Sequence, residues 1–120
     1  MTPFDSKGQI DFAALNKFVD FQIDNGIDFL VVQGTTGESP TLSWNEKMEV
    51  LAEVIKANNN RLPIVFGIGG NNTADVIEKL KVLPKGVDGI LSVSPYYNKP
   101  TQAGIIAHFK AVAAATDLPI

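Results

Sequence analysis

Two adjacent threonines, Thr35 and Thr36, stand between two glycines in the segment Gly-Thr-Thr-Gly-Glu-Ser at residues 34–39. Glycines let the backbone approach a ligand closely, so that the amides between them can point at one small anion. The two hydroxyls can donate, accept or pass on a proton. The segment directly follows an apolar run, and it therefore predicts a site for a small carboxylate at the mouth of a strand.

Two later segments also place polar residues after apolar runs. Residues 67–73 read Gly-Ile-Gly-Gly-Asn-Asn-Thr, and residues 94–100 read Ser-Pro-Tyr-Tyr-Asn-Lys-Pro. The first of these has only a superficial likeness to a dinucleotide loop, because no acidic partner for a ribose follows about 20 residues on. His108 is the single histidine and there is no cysteine, so we predict no metal site.

The composition argues against nucleic-acid-binding and membrane-spanning proteins. The 120 residues are 45% hydrophobic and 19% charged, with a formal net charge of -3. An acidic balance argues against nucleic acid as a partner, and the apolar runs are much shorter than the roughly 20 residues of a membrane helix. The absence of cysteine and of a basic-then-apolar leader leads us to expect a cytoplasmic protein that binds neither nucleic acid nor membrane.

The elements that must position these segments alternate between helix and strand. Four helical patterns are predicted. Three have predicted caps, at Asp11, at Ser43 with Glu46 as a capping box, and at Thr73, and the fourth spans Thr101 to Ala115. Strands are predicted at 28–32, 63–67 and 87–93, with a further strand opening at 117–120. The run at 63–67 is continuous enough to be buried on both faces. This alternation is typical of parallel βαβ units.

The connections divide into two kinds. Those from helix to strand are short and carry only turn residues, whereas those from strand to helix hold the three polar segments. Polar residues gathered at the carboxyl ends of parallel strands are typical of sites in α/β barrels and open sheets. Both ends of the chain look cut, so we expect residues 1–120 to be one partial domain. It would be the amino-terminal half of a (β/α)8 TIM barrel, truncated at both ends.

The three polar segments, in this order and with Glu46 beyond the first, resemble motifs of a known family. The family is that of dihydrodipicolinate synthase and N-acetylneuraminate lyase, which are pyruvate-dependent class I aldolases. Thr-Pro-Phe at residues 2–4 is similar to the end of its first strand, and the resemblance covers essentially the whole chain. The lyases usually have Ser-Thr where this chain has Thr35-Thr36, which favours the synthase branch.

The resemblance implies a role for three residues. Thr36 would hold the carboxylate of pyruvate through its backbone amide and hydroxyl, and Thr35 and Tyr97 would belong to a proton relay. Tyr97 would reach across a tight dimer interface into the neighbouring subunit of a homotetramer, a dimer of dimers. The family's Schiff-base lysine, second relay tyrosine and substrate arginine match no residue of this sequence, and helix-borne lysines such as Lys47 and Lys79 are expected to be solvated.

The implied activity is condensation of pyruvate with aspartate semialdehyde through a Schiff base, in lysine and diaminopimelate biosynthesis, with no metal or organic cofactor. The 120 residues alone would be inactive. Two alternatives stay open: another lyase of the family, acting on a sialic acid or a keto-deoxy sugar, and a non-catalytic half-barrel that self-associates to cover its open strand edges. Glu38, Trp44 and Tyr96 are expected to be structural.

Overall fold

The structure is a computed structural model that describes residues 1–120. Its helices are α1 (Phe12–Asp24), α2 (Trp44–Asn58), α3 (Thr73–Lys81) and α4 (Gln102–Ala113), and its strands are β1 (Leu30–Val32), β2 (Ile64–Gly67) and β3 (Gly89–Leu91). Two short 3-10 turns, Thr35–Gly37 and Ser39–Thr41, lie between β1 and α2. No helix has the length and apolar character needed to cross a membrane.

The three strands form one parallel sheet in the order β1-β2-β3. Leu30 pairs with Ile64, and Phe66 pairs with Ile90. The chain crosses from β1 to β2 through α2 and from β2 to β3 through α3, so two consecutive βαβ units are present, as the alternating pattern predicted. Parallel strands bring the ends of β1, β2 and β3, and the segments that follow them, to one edge of the sheet.

The core lies between one face of the sheet and the helices. Leu30, Val32, Ile64, Phe66 and Ile90 alternate along the strands and are buried there, together with Leu51 of α2, which is fully buried. The prediction that β2 is buried on both faces was wrong. Its residues alternate between buried and half-buried, because nothing in the 120 residues covers the second face of the sheet.

That second face, which we call the open face, consists of apolar side chains with high exposure. Phe29, Val31, Leu91 and Val93 are each about half exposed, between 47% and 53%. An ideal Cβ placed on Gly34 would lie 3.3 Å from Val31 and 3.9 Å from Leu91, so these two side chains approach the same spot. The open face therefore runs directly up to the Gly-Thr-Thr-Gly segment.

The helix starts follow the predicted caps with one exception. Asp11 accepts a hydrogen bond from Ala14 N–H, and Ser43 and Glu46 form both bonds of a capping box. Thr101, for which no capping role was predicted, caps α4 by accepting from Gly104 N–H. Helix α3 is capped by Asn72 instead of the predicted Thr73. Thr73 is occupied elsewhere, since its hydroxyl lies 2.8 Å from Nδ1 of His108.

The regions at the two ends of the chain differ from the predicted strands. Residues 2–4 are not in a strand; Phe4 forms a single antiparallel bridge with Ile10, and the chain turns back between these two residues. Residues 117–120 are not a strand. The N–H of Ile90 nevertheless donates to the carbonyl of Pro119 at 2.8 Å, so this segment lies alongside β3.

Candidate active site

Three segments meet at the carboxyl edge of the sheet: residues 33–42 after β1, 68–72 after β2 and 92–101 after β3. We call them the first, second and third loops. They contain all three residues that the sequence singled out, Thr35, Thr36 and Tyr97. Since β2 lies between β1 and β3, the first and third loops are separated by the second.

The first loop is held closed by its own backbone and by the chain's first residues. Gly37 N–H donates to Gly34 C=O at 2.9 Å, and Glu38, with φ of +56°, donates to Thr35 C=O at 3.1 Å. The buried hydroxyl of Thr2 donates to the carbonyl of Gly37 at 2.6 Å. The side chains of Thr35 and Thr36 make no internal hydrogen bond and are exposed, so their hydroxyls are available to a ligand.

Gln33, which enters the first loop, is a buried polar residue that sequence reasoning missed. Its exposed fraction is 5% and its φ is +63°, in the left-handed region that favours glycine. Neither the oxygen nor the nitrogen of its carboxamide has a hydrogen-bond partner. The only signal in the sequence was a polar residue that ends an otherwise apolar run.

Gly67 is the point at which the first and second loops touch. A Cβ on Gly67 would lie 2.1 Å from the carbonyl oxygen of Gln33 and 2.7 Å from its carbonyl carbon. Because both atoms are backbone, the neighbour cannot rotate away. Glycine is therefore required at this position by the close approach of two backbones.

The third loop presents Tyr97 to the outside of the molecule. Tyr97 is 90% exposed and has φ of +67°. Asn98 N–H donates back to Tyr96 C=O at 2.8 Å, and the Asn98 side chain reaches Asn71 of the second loop. The side chain of Tyr97 therefore makes no hydrogen bond to Thr35 or Thr36 within the chain.

A cavity of about 290 Å³ lies between the loops and helices α2 and α3. Thr35 and Tyr96 line it, whereas Thr36 and Tyr97 do not. Tyr96 was expected to pack, and that expectation was wrong, because the ring is 57% exposed along the cavity wall. Trp44, also expected to pack, is half-buried and meets Phe66 edge-to-face at 6.4 Å between ring centroids.

Two lysines make the cavity basic. Lys47 and Lys79 both line it and are half-buried, so the expectation that they are solvated was wrong. Lys79 pairs with Asp75 at 2.5 Å and lies 5.5 Å from the centroid of the Trp44 ring. Burial, and then the neighbouring ammonium of Lys79, lowers the pKa of Lys47. No group of three or more acidic, histidine or cysteine side chains is placed to hold a metal ion.

The parallel βα units and the polar loops at their carboxyl edge define a protein of the parallel α/β class, which includes both barrels and open sheets. A profile of the "Dihydrodipicolinate synthetase family" matches residues 1–120. The chain therefore belongs to this family, and its fold is that of the amino-terminal part of the family's (β/α)8 barrel.

Named relatives agree with this assignment. The chain is 54% identical to a 4-hydroxy-tetrahydrodipicolinate synthase of Koribacter versatilis and 50% identical to one of Bacillus subtilis. All of this chain is covered, but only 41% and 42% of the relatives' lengths.

Solved structures show the same partial coverage. A dihydrodipicolinate synthase of Bacillus anthracis superposes with a TM-score of 0.94 at 48% identity, with 99% of this chain and 41% of that chain covered. The chloride-inhibited enzyme of Acinetobacter baumannii, solved in complex with pyruvate, gives 0.95 at 44% identity over 99% of this chain and 41% of that one. The chain thus spans about two fifths of the length of the proteins it matches.

Proposed function

We propose that this chain forms the pyruvate-binding part of a Schiff-base aldolase. The reaction is condensation of pyruvate with aspartate semialdehyde to give 4-hydroxy-tetrahydrodipicolinate, in lysine and diaminopimelate biosynthesis. Support comes from family membership, and from a relative at 44% identity whose solved structure is described as complexed with pyruvate. A cytoplasmic location is part of the proposal and is supported by a composition without cysteine.

The observation that carries the proposal is the first loop. The hydrogen bonds that close its turn are donated by Gly37 and Glu38, so the earlier amides of the turn have no partner within it. Thr36 offers one such amide together with an exposed hydroxyl, which suits a carboxylate. Thr35 is next to it and supplies a second hydroxyl for moving protons, a role for which positioned groups typically give about 10²–10⁴-fold.

Tyr97 is the third residue of the proposed relay, and it would act in the site of a neighbouring subunit. Its side chain is 90% exposed in this chain, which supports a role in the site of a second subunit. The assembly that we propose is a homo-oligomer, a dimer of dimers, in which each subunit lends Tyr97 to its neighbour. In such an assembly the ring would be covered by the partner.

The nucleophile is proposed to lie outside the 120 residues. Schiff-base chemistry needs a lysine that is neutral at the working pH. Burial, and then Lys79, lowers the pKa of Lys47, but Lys47 lines the cavity and Thr36 does not. The chain alone is therefore expected to bind pyruvate weakly and to form no covalent adduct.

Borohydride trapping tests this proposal. The chain is incubated with pyruvate, reduced, and weighed by intact mass spectrometry beside a version extended with the carboxyl-terminal portion of the Bacillus subtilis relative. We expect a stoichiometric adduct on the extended chain only, and a reduced yield in its Thr36→Val variant. An adduct on the 120-residue chain that disappears in Lys47→Arg would contradict the proposal and would assign the nucleophile to Lys47.

The choice of aldehyde is tested separately. The unreduced extended chain is incubated with pyruvate and with aspartate semialdehyde, N-acetylmannosamine or a short sugar aldehyde, and product formation is followed. Turnover of aspartate semialdehyde alone would support the synthase. Turnover of a sugar aldehyde in preference would assign the chain to one of the family's lyases instead.

A further inference from the structure

The backbone at Tyr97 is held in a conformation that tyrosine rarely adopts. Asn98 N–H donates to Tyr96 C=O at 2.8 Å, which closes a three-residue γ-turn with Tyr97 at its centre. The φ of Tyr97 is +67°, the rarer and strained form of this turn. Lys99 also has a positive φ, +47°, so two non-glycine residues on either side of Asn98 are strained. Such strain persists only where the surrounding structure holds it in place.

The side chain of Tyr97 cannot be what holds the turn. It is 90% exposed and makes no hydrogen bond within the chain. The backbone of the turn therefore sets the direction of the Cα–Cβ bond of Tyr97, from which the phenol projects. Any group that fixes this backbone also fixes the point and direction in which the side chain leaves the chain.

Asn98 is the residue that ties the turn to the rest of the protein. Its Nδ2 donates to the backbone carbonyl of Asn71 at 3.1 Å, and its Oδ1 accepts from Nδ2 of Asn71 at 3.4 Å. Both groups of the carboxamide are used, one as donor and one as acceptor. No other side-chain hydrogen bond connects the third loop to the second.

Asn71, the residue of the second loop to which Asn98 binds, is itself held in place. The residue after Asn71 is the N-cap of α3, whose side chain accepts from Ala74 N–H at 3.1 Å. On the other side, a Cβ on Gly69 would lie 2.6 Å from Cγ1 and 2.9 Å from the backbone nitrogen of Val93, so the two loops run in close contact. The carbonyl of Asn71 is thus a fixed point to which the turn can be tied.

We propose that Asn98 is a positioning residue, which holds Tyr97 in the strained turn by linking it to Asn71 and so aims the phenol out of the subunit. The importance of this for catalysis rests on the proposed function, in which Tyr97 belongs to the proton relay of a neighbouring subunit. A proton relay is sensitive to such positioning, because a displacement of about 1 Å can cost about 10²-fold in rate.

The test measures the turn directly in the 120-residue chain. NMR couplings at Tyr97 report the sign of φ, and exchange of the amide of residue 98 reports the bond to Tyr96. Asn98→Asp keeps the shape of the side chain but replaces the donor by an oxygen that repels the Asn71 carbonyl. We expect φ of Tyr97 to lose its positive value in this variant, and the amide to exchange at least about tenfold faster relative to its intrinsic rate.

Two further variants grade the effect. Asn71→Ala removes only the longer bond and keeps the carbonyl, so it should change exchange less than Asn98→Asp does. Asn60→Asp is the matched control, since Asn60 is also exposed with a positive φ, +59°, but lies beyond α2 and makes no side-chain hydrogen bond. An unchanged positive φ and unchanged exchange in Asn98→Asp would overturn the proposal.

The chain extended with the Bacillus subtilis portion separates this proposal from the function on which it rests. With the turn released in Asn98→Asp, kcat should fall by at least about tenfold while KM for pyruvate stays near its original value. Tyr97→Phe tests the relay itself. If Tyr97→Phe keeps full activity, the relay role is wrong, and the NMR result still decides whether Asn98 holds the turn.

Discussion

Gly67 shows how one missing side chain determines whether two loops can meet. The Gln33 carbonyl occupies the place that a Cβ would take, at 2.1 Å. Gly67→Ala must therefore push the first loop away from β2, and we expect a loss of about 1–3 kcal/mol in the free energy of unfolding, as for other overpacked sites. Urea denaturation of the 120-residue chain measures this loss. Binding of pyruvate should weaken as well, because Thr36 moves with the loop.

The second loop provides the matched control. A Cβ on Gly70 would come no closer than 3.5 Å to any atom, and its φ is not positive. Gly70→Ala is therefore expected to be neutral, or to stabilise slightly by restricting the unfolded chain. Equal losses in the two variants would show that close approach at Gly67 is not the cause.

At individual residues, the sequence predicted which chemical groups a loop carries more accurately than which other residues those groups contact. Thr35 and Thr36 lie in a loop after a strand, as predicted, because glycine and polar residues after an apolar run end a strand. The cavity wall at Tyr96 and the half-burial of Lys47 were not predicted, since both depend on contacts between segments far apart in the sequence. The exposed phenol of Tyr97 is consistent with its predicted role in a second subunit, which stays a prediction.

Helix α2 begins at a capping box that is sensitive to pH. Ser43 lowers the pKa of Glu46 from 4.5, first through its side-chain hydrogen bond and then through its backbone N–H. A carboxyl whose pKa is lower in the folded state stabilises the fold at pH values above the unfolded value of 4.5. This contribution is lost as the pH falls through the folded pKa.

The variant Glu46→Gln isolates this titration, because glutamine can still complete a capping box but carries no charge. The melting temperature of the original chain should exceed that of the variant well above pH 4.5. The difference should shrink as the pH is lowered past that value. Glu49→Gln is the control, because it removes a charge at an exposed position of the same helix that makes no hydrogen bond. An equal pH-dependent difference in this variant would point to general charge effects.

The elements themselves were largely predictable, and their ends were not. Helix caps are local in sequence, so Asp11 and Ser43 were identified correctly. The strands are shorter than predicted, with β3 covering Gly89–Leu91 within the expected 87–93. Pairing with a neighbour decides where a strand ends, and β-propensity alone carries no information about that neighbour. Thr73 failed as a cap for a similar reason, because His108 of α4 takes its hydroxyl.

At the scale of the molecule, the open face determines behaviour in solution. Val31 and Leu91 are half exposed on it, and β1 is an unpaired edge of the sheet. We expect the chain to associate with itself at high concentration, giving a mass above the 12.9 kDa of one chain by light scattering. Val31→Lys combined with Leu91→Lys should return it to a monomer by placing charge on both contact points.

A lysine on the opposite side of the protein is the control. Ala52 is exposed on α2, so Ala52→Lys adds charge without touching the open face, and its association should match that of the original chain. A chain that stays monomeric at every concentration would contradict self-association. It would also remove the support for a non-catalytic half-barrel as an alternative to the aldolase.

The sequence separation between paired strands also determines how long β1 stays unpaired during synthesis. Leu30 pairs with Ile64, 34 residues further on, and Phe66 with Ile90, 24 residues further on. At a synthesis rate of about 5–20 residues per second, β1 stays unpaired for about 2–7 s before β2 has been synthesised. Helix α2 forms within about a microsecond once it is free. Helix α2 can therefore form long before the sheet does. For several seconds, α1 and α2 are the only helices that can cover the apolar side of β1.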